Sequence, residues 1–473
     1  MASYDMAKRG REARYRYLRR CIREDICKGK LAAGARLPSK RLLASELDVS
    51  VNTVERAYGL LASEGYIIAH PGSGFTVSPG KVDSSVVELD RQADAPLQDV
   101  APLIGARSAN YSLELFPFDT WARLMRQVVS ERNADLLGYV PFNGIEPLRQ
   151  AISLYLFEAK GISAPPSRIV VGAGTEYLFD RLLQLFGSQS IIGVEDPGYR
   201  RFTQVARANE ALWEYIPLDE EGLRVDALRR GHADIVHVSP ANQFPTGVVM
   251  SQARRKQLLD WAAEEPGRYI VEDDYDSEIR HNGHALPPLV TQSVSNNVIY
   301  LNTFSKTLVP SIRISYMVLP ENLMKLYSER LSLYTCSVSG FEQLALARFI
   351  SEGYFERHIA RLQRYYRDRM RQVAGIVAAS KVSGISSVHG GGMGTHFILH
   401  VRTAKSDHEI KERCAALGFR IALLADYCSN TKARNAGSIV VNVAALTDAD
   451  ASRMMGVLEE VFDDDIAAAT ATG

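Results

Sequence analysis

The sequence predicts a multidomain chain: a small N-terminal α+β unit, a tether, and a large α/β unit with a mostly parallel central sheet. Three observations predict it. At 473 residues the chain is too long for one ordinary domain. Its zero net charge hides a split, because residues 1–80 carry 14 Lys+Arg against 8 Asp+Glu (+6) and the remainder therefore sums to −6. The apolar pattern also changes twice, from helical periods with one hairpin, through an aperiodic stretch, to short apolar strands alternating with helices. A basic head on an acidic body assigns contact with a polyanion to the head. Apolar content of 46% and charged content of 23% exclude the disordered and fibrous classes. No apolar run is long enough to span a bilayer, and the N-terminus shows no secretory apolar core. Cys21, Cys27, Cys336, Cys414 and Cys428 are scattered without a C-x-x-C, as in a reduced cytoplasmic protein with neither disulfide nor metal site.

The head is expected over residues 1–79. An amphipathic helix runs from about Arg14 to Cys27, and Ser39, after Pro38, caps a short helix reaching Leu47. After the tight turn "DVS", a further helix runs from about Val51 to Glu64, with Val54, Ala57, Tyr58 and Leu61 on its buried stripe and Gly65 closing it. "YIIAHPGSGFTV" then reads as a β-hairpin. This is the element order of a winged helix-turn-helix, which lays the second helix of its pair in the major groove of double-stranded DNA. Ser50, Asn52 and Thr53 at the start of that helix, with Arg56 one turn on, are suited to base edges and phosphates. Ser39 and Arg41 stand beside them for the backbone. Gly72, Ser73 and Gly74 let the wing tip approach a groove closely.

Residues 80–111 show no sustained period and read as a linker. From residue 112 to 473 the chain reads as α/β layers, with strands at "RIVVGA", "SIIGVED", "DIVHVSP", "RYIVEDD", "NVIYLNT" and "ISYMVL". Ligands gather at the carboxyl ends of such strands, so the strand tips are where chemistry is sought. Lys306, a lysine held in the turn "TFSK", can form an imine with an aldehyde once its ammonium is desolvated. Asp273 can pair with a protonated pyridine nitrogen, and Tyr275 offers a phenol to a ring hydroxyl. Tyr199 offers a flat face for stacking. Gly174 and Thr175 at a helix start, with Ser305 and Arg313, supply donors and charge for an anion. Aldehyde, pyridinium, phenol and phosphate each find a partner type here, and that inventory matches pyridoxal 5′-phosphate.

Two resemblances sharpen this reading. "LPSKRLLASELDVSVNTVERAYGLLASEGY" and "GSGFTV" resemble the GntR family of bacterial regulators, although Val51 stands where that family often has a basic residue and Glu55 is acidic. That departure shifts backbone contact toward Arg41, Arg56 and the first helix. "YVPFNGIEPLR", "VVGAGTEYL", "EDPGYRRF", "SPANQFPTGVVMS", "IVEDDYDSEIR", "NTFSKTLVPSIRISY" and "GYFERHIARLQRYYRDR" look like the class I aminotransferases of fold type I. Together the two parts resemble the MocR family of pyridoxal-phosphate-dependent regulators. The resemblance implies a head-to-tail homodimer in which Tyr139 reaches the phosphate of the neighbouring subunit. It carries over Thr175, Tyr199, Asp273, Tyr275, Thr303, Ser305, Lys306 and Arg313 as cofactor residues, and Asn242 or Gln243 as partner of the ring hydroxyl. Arg201 matches a position that holds a carboxylate in a GABA-responsive relative.

Two positions depart from the aminotransferase pattern. Phe244-Pro245 occupies the place of an Asn before "PTG", and Val440 stands where the substrate-carboxylate arginine is expected. Arg434 in the preceding loop either substitutes for it or is a solvated loop residue. The expected function is a transcription regulator sensing an amino compound, or pyridoxal phosphate itself, through Lys306, on a DNA operator with repeated half-sites. The alternatives are a working aminotransferase carrying a DNA-binding module, and a fold that serves only as a dimerisation platform.

Overall fold

The computed structural model describes residues 4–9, 12–70, 73–79, 115–280, 286–382, 385–390, 392, 394–429 and 437–463. The expected linker, Gly72 and Arg434 lie outside the described residues. The chain divides into two compact units, residues 1–100 and 101–473.

In the first unit, α1 (Arg14–Cys27), α2 (Lys40–Glu46) and α3 (Val51–Ser63) precede a hairpin of β1 (Ile67–His70) and β2 (Gly74–Val77). Ser39 caps α2 by accepting from the Leu42 N–H, and Ser50 caps α3 by accepting from the Thr53 N–H. Each cap satisfies a donor that helix geometry orphans and is worth about 1 kcal/mol. Gly65, at φ 78, turns the chain out of α3. Val54, Ala57, Tyr58 and Leu61 of α3 are fully buried against Leu18 and Ile22 of α1, Leu43 of α2 and the hairpin residues Ile67 and Val77.

The second unit is built on an eight-stranded sheet: β3 (Ile169–Gly172), β4 (Ile191–Asp196), β5 (Leu212–Asp219), β6 (Gly222–Leu223), β7 (Ile235–Val238), β8 (Tyr269–Asp273), β9 (Val298–Thr303) and β10 (Ser315–Val318). Their order is β3-β10-β9-β8-β7-β4-β5-β6. The ladders joining β9, β8, β7, β4 and β5 are parallel, while β10 runs antiparallel to both its neighbours. Helices cover both faces, so β3, β7, β9 and β10 are buried along their whole length. β5 and β6 escaped the sequence reading because β5, at the sheet's margin, is mostly half-buried or exposed and its apolar run is broken by Glu214 and Pro217. A smaller four-stranded antiparallel sheet, β11 (Ile385–Gly390), β12 (His396–Val401), β13 (Ala422–Leu423) and β14 (Ser438–Asn442), packs its own core. The 26-residue helix Tyr354–Ala379 contributes Phe355 to the core of the large sheet and Met370, Val373 and Val377 to that of the small one.

The topology accounts for the spacing of Lys306 and Arg313. Because β10 is antiparallel, Ser315 at its start pairs with Thr303 at the end of β9 and with Gly172 at the end of β3. A lysine just past β9 and an arginine just before β10 therefore arrive at the same sheet edge, beside the turn that follows β3.

Candidate functional site

That edge opens into a cavity of about 470 Å³. Tyr199, Asp273, Tyr275, Thr303, Ser305, Lys306, Arg313, Thr175 and Arg201 all line it, so the topology gathers these sequence-nominated residues in one place. Thr303 caps the Lys306 turn, its hydroxyl accepting from the Ser305 N–H (3.1 Å) and from the Ser315 hydroxyl (2.7 Å). His358, from the long helix, fixes the far side of the turn. Its Nε2–H donates to the Thr307 carbonyl (2.7 Å) while its Nδ1 accepts from Arg361 (3.0 Å). Burial lowers the Lys306 pKa, against the opposing pull of Asp276 and Asp273, and a neutral amine is the nucleophilic form.

Asp273 ends β8 facing the cavity, with Oδ2 3.4 Å from His237 Nε2 and Oδ1 buried without a hydrogen-bond partner among the described residues. His237 lies against Phe202, ring centroids 4.0 Å apart. The Tyr275 hydroxyl donates to the Asn242 carbonyl (2.9 Å), its ring centroid lies 6.0 Å from Lys306 Nζ, and burial keeps the phenol protonated by raising its pKa. Glu195, buried between Gln243 and the Ser239 N–H, is pushed up to about 8 by burial.

Thr175 opens a 12-residue helix whose first turn faces the cavity, and Gly174 at φ 104 is its N-cap. A Cβ on Gly174 would run into the Arg313 guanidinium. Arg313 itself is held at φ 50, a left-handed conformation that costs a non-glycine residue about 1–2 kcal/mol. Such strain marks a position over-determined by its surroundings.

Sequence reasoning missed Glu176, one residue past Thr175. Its carboxylate bridges two cations, Oε1 at 2.9 Å from Arg201 and Oε2 at 3.3 Å from Arg313. Asp276, His237 and His396 were also missed, since nothing in their spacing shows that distant segments converge. Behind the site, Lys160 pairs with Asp274 (2.7 Å) and Glu278 (2.9 Å), all three buried. "EDDYDSEIR" thus sends Asp273 and Tyr275 to the cavity and Asp274 and Glu278 to a structural pair.

Several nominated residues are engaged elsewhere. The Gln243 amide donates to Glu195, Pro197 and Phe244 and accepts from Thr246, so it braces its own loop and does not line the cavity. Asn242 is also outside the lining residues. Its amide donates to Asp276 and the Tyr275 hydroxyl, which fits it to orient the phenol. Tyr139 is 93% exposed. Phe244 lines the cavity beside Tyr199, His396 and Tyr427, and Val440 lines it from β14.

In the head, Asn52 and Arg41 are exposed, as are Ser39, Ser50, Ser73 and Gly74, with Thr53 half-buried. The Ser50 and Thr53 hydroxyls bond each other (2.9 Å), and the Arg56 guanidinium packs 5.2 Å over the Tyr15 ring. Glu55 is paired with Lys40 (2.6 Å), and the missed Arg36 donates to the Ser73 carbonyl at the wing tip. Among the described residues no cluster fits a metal ion, no helix is long and apolar enough to cross a membrane, and all five cysteines are free.

Comparison with known proteins places this geometry in a lineage. Residues 14–77 match the bacterial regulatory proteins of the gntR family, and residues 106–458 match aminotransferase class I and II. An uncharacterized HTH-type transcriptional regulator YdeL of Bacillus subtilis is 36% identical over 86% of this chain and 88% of its own. The probable rhizopine catabolism regulatory protein MocR of Rhizobium meliloti is 33% identical over 76% of both. The HTH-type pyridoxine biosynthesis regulator PdxR of Corynebacterium glutamicum is 29% identical over 88% of both. Among solved structures, the multiple substrate aminotransferase of Thermococcus profundus superposes with a TM-score of 0.65 at 24% identity, covering 75% of this chain and 90% of that one. The chain belongs to the MocR-like branch of the GntR regulators, DNA-binding transcription regulators whose winged helix-turn-helix precedes an aminotransferase class I/II domain.

Proposed function

We propose that this regulator holds pyridoxal 5′-phosphate at Lys306 and reads the presence of an amino compound, or of the vitamer itself, at that lysine. The observation that carries the reading is the buried Asp273 oxygen, without a hydrogen-bond partner among the described residues, in the same cavity as the Lys306 amine, Thr175 and Arg313. A buried carboxylate oxygen without a donor is costly, and a pyridinium N–H supplies one. The cofactor brings an aldehyde that condenses with amines. The residues of the chain do the rest: Lys306 presents a desolvated amine, Tyr275, oriented by Asn242, meets a hydroxyl, and the helix start with Arg313 takes a phosphate.

Regulation then requires that the ligand bind two arrangements of the regulator with different affinity. A homodimer in the cytoplasm, carrying two heads on an operator with repeated half-sites, is the assembly we favour. The test is optical. Purified protein incubated with pyridoxal 5′-phosphate is expected to develop a visible absorption band that Lys306→Ala abolishes. An identical band in the variant would refute the reading. Repeated turnover of an amino donor would instead favour an aminotransferase.

A further inference from the structure

We propose that Glu176 is an internal rival for the phosphate cradle. Its carboxylate shares Arg313 and the helix start with the phosphate of the incoming vitamer, which weakens capture of the phosphate ester and keeps it exchangeable. Pyridoxal, which carries the same aldehyde without the phosphate, is indifferent to it. This deepens the reading above and rests on it.

Glu176 is the second residue of the helix Thr175–Phe186 and stands in its first turn, where orphan N–H groups and the dipole favour negative charge. A side-chain carboxylate and a bound phosphate draw on that same positive end. Glu176 Oε2 accepts from Arg313 Nη2 (3.3 Å), the nitrogen that also donates to the Ala173 carbonyl (3.2 Å). The same oxygen would lie 3.3 Å from a Cβ on Gly174, which puts it against the N-cap itself. Oε1 meets Arg201 Nη1 at 2.9 Å, so the carboxylate is held from two sides. Burial works to raise its pKa, but its own N–H and the two guanidinium groups outweigh burial and lower it, which keeps Glu176 ionised at neutral pH.

A like charge within a few ångströms opposes the binding of an anion. Glu176 is therefore a negative charge fixed at the point where the cradle must accept another. Arg200 also borders the cavity and donates to the Cys428 carbonyl (2.5 Å). The ion pairs of Glu176 are with Arg201 and Arg313, so the rivalry concerns Arg313 and leaves Arg200 outside it. The Arg313 side chain is half exposed, and solvent screening keeps the effect moderate.

The experiment titrates full-length wild type and Glu176→Gln with pyridoxal 5′-phosphate and with pyridoxal, following the visible band. The variant is expected to bind the phosphate ester roughly three- to thirtyfold tighter and pyridoxal within about twofold of wild type. Glu176→Asp, which keeps the charge, should stay near wild type. A side chain that only held the helix start in shape would move both vitamers together. If Glu176→Gln binds the phosphate ester no tighter than wild type, or if pyridoxal gains as much, the proposal is overturned. Inorganic phosphate gives a readout that needs no lysine. It should raise the melting temperature of Glu176→Gln more than that of wild type, and an equal or smaller rise also overturns the proposal. Failure of the underlying reading looks different: neither vitamer would give a visible band, and the phosphate melts would still judge Glu176.

Discussion

The floor and the far wall of the cavity are built by different sheets and have different chemistry. The floor, from the tips of β3, β8, β9 and β10, is ionic: Lys306, Asp273 and Arg313 stand over the buried Lys160–Asp274–Glu278 group. The wall, from β12–β14 and the Phe244 loop, carries Phe244, His396, Ala422, Val440 and Asn442 and no cation. A sheet edge where six strands end can fix charges by register. A four-stranded satellite sheet supplies side chains one at a time, so substitutions there are expected to leave the floor in place.

The largest effect expected on that division comes from beneath the floor. Lys160→Met strands Asp274 and Glu278 as buried carboxylates and should destabilise the protein by about 3–5 kcal/mol in urea unfolding; a loss under 1 kcal/mol would show that the floor does not depend on this pair. Next comes Asp273→Asn, expected to weaken pyridoxal 5′-phosphate binding roughly 10- to 100-fold through loss of a charge-assisted hydrogen bond worth about 1.5–3 kcal/mol. Equilibrium titration checks it, and unchanged affinity would detach Asp273 from the ligand.

Glu195 gives a smaller, pH-dependent effect. Its folded pKa, about 8, lies above the ordinary carboxylate value near 4.3. Between those values the folded state binds a proton that the unfolded state has released. Stability is therefore complete at low pH and declines as pH rises toward 8. Thermal melts should fall over that window, and Glu195→Gln should flatten the slope; parallel slopes would contradict the shift. Smallest of all, Val440→Ala on the wall should leave cofactor affinity within about twofold, whereas a loss comparable with that of Asp273→Asn would erase the distinction between the surfaces.

The floor was legible in the sequence because each of its residues sits at a strand tip, and a parallel sheet brings tips together whatever the loops between them do. The head was legible for a related reason: the caps Ser39 and Ser50 and the stripe Val54, Ala57, Tyr58, Leu61 are local signals. The wall was legible only at Val440 and Phe244, as departures from a pattern. His396 and Glu176 could not be singled out, because their meaning lies in contacts with residues far away in the chain. Local rules placed Arg56 toward DNA, and it is exposed there with its guanidinium over Tyr15; they placed Gln243 toward the ligand, whereas it braces its own loop. Tyr15 and Glu195, the partners that engage them, come from elsewhere in sequence.

One measurement bears most directly on the central claim that this regulator's body holds its ligand through a single amine. Protein treated with pyridoxal 5′-phosphate, reduced with borohydride and digested should yield one modified peptide per chain, labelled at Lys306. A label spread over surface lysines, or absent from Lys306, would contradict it.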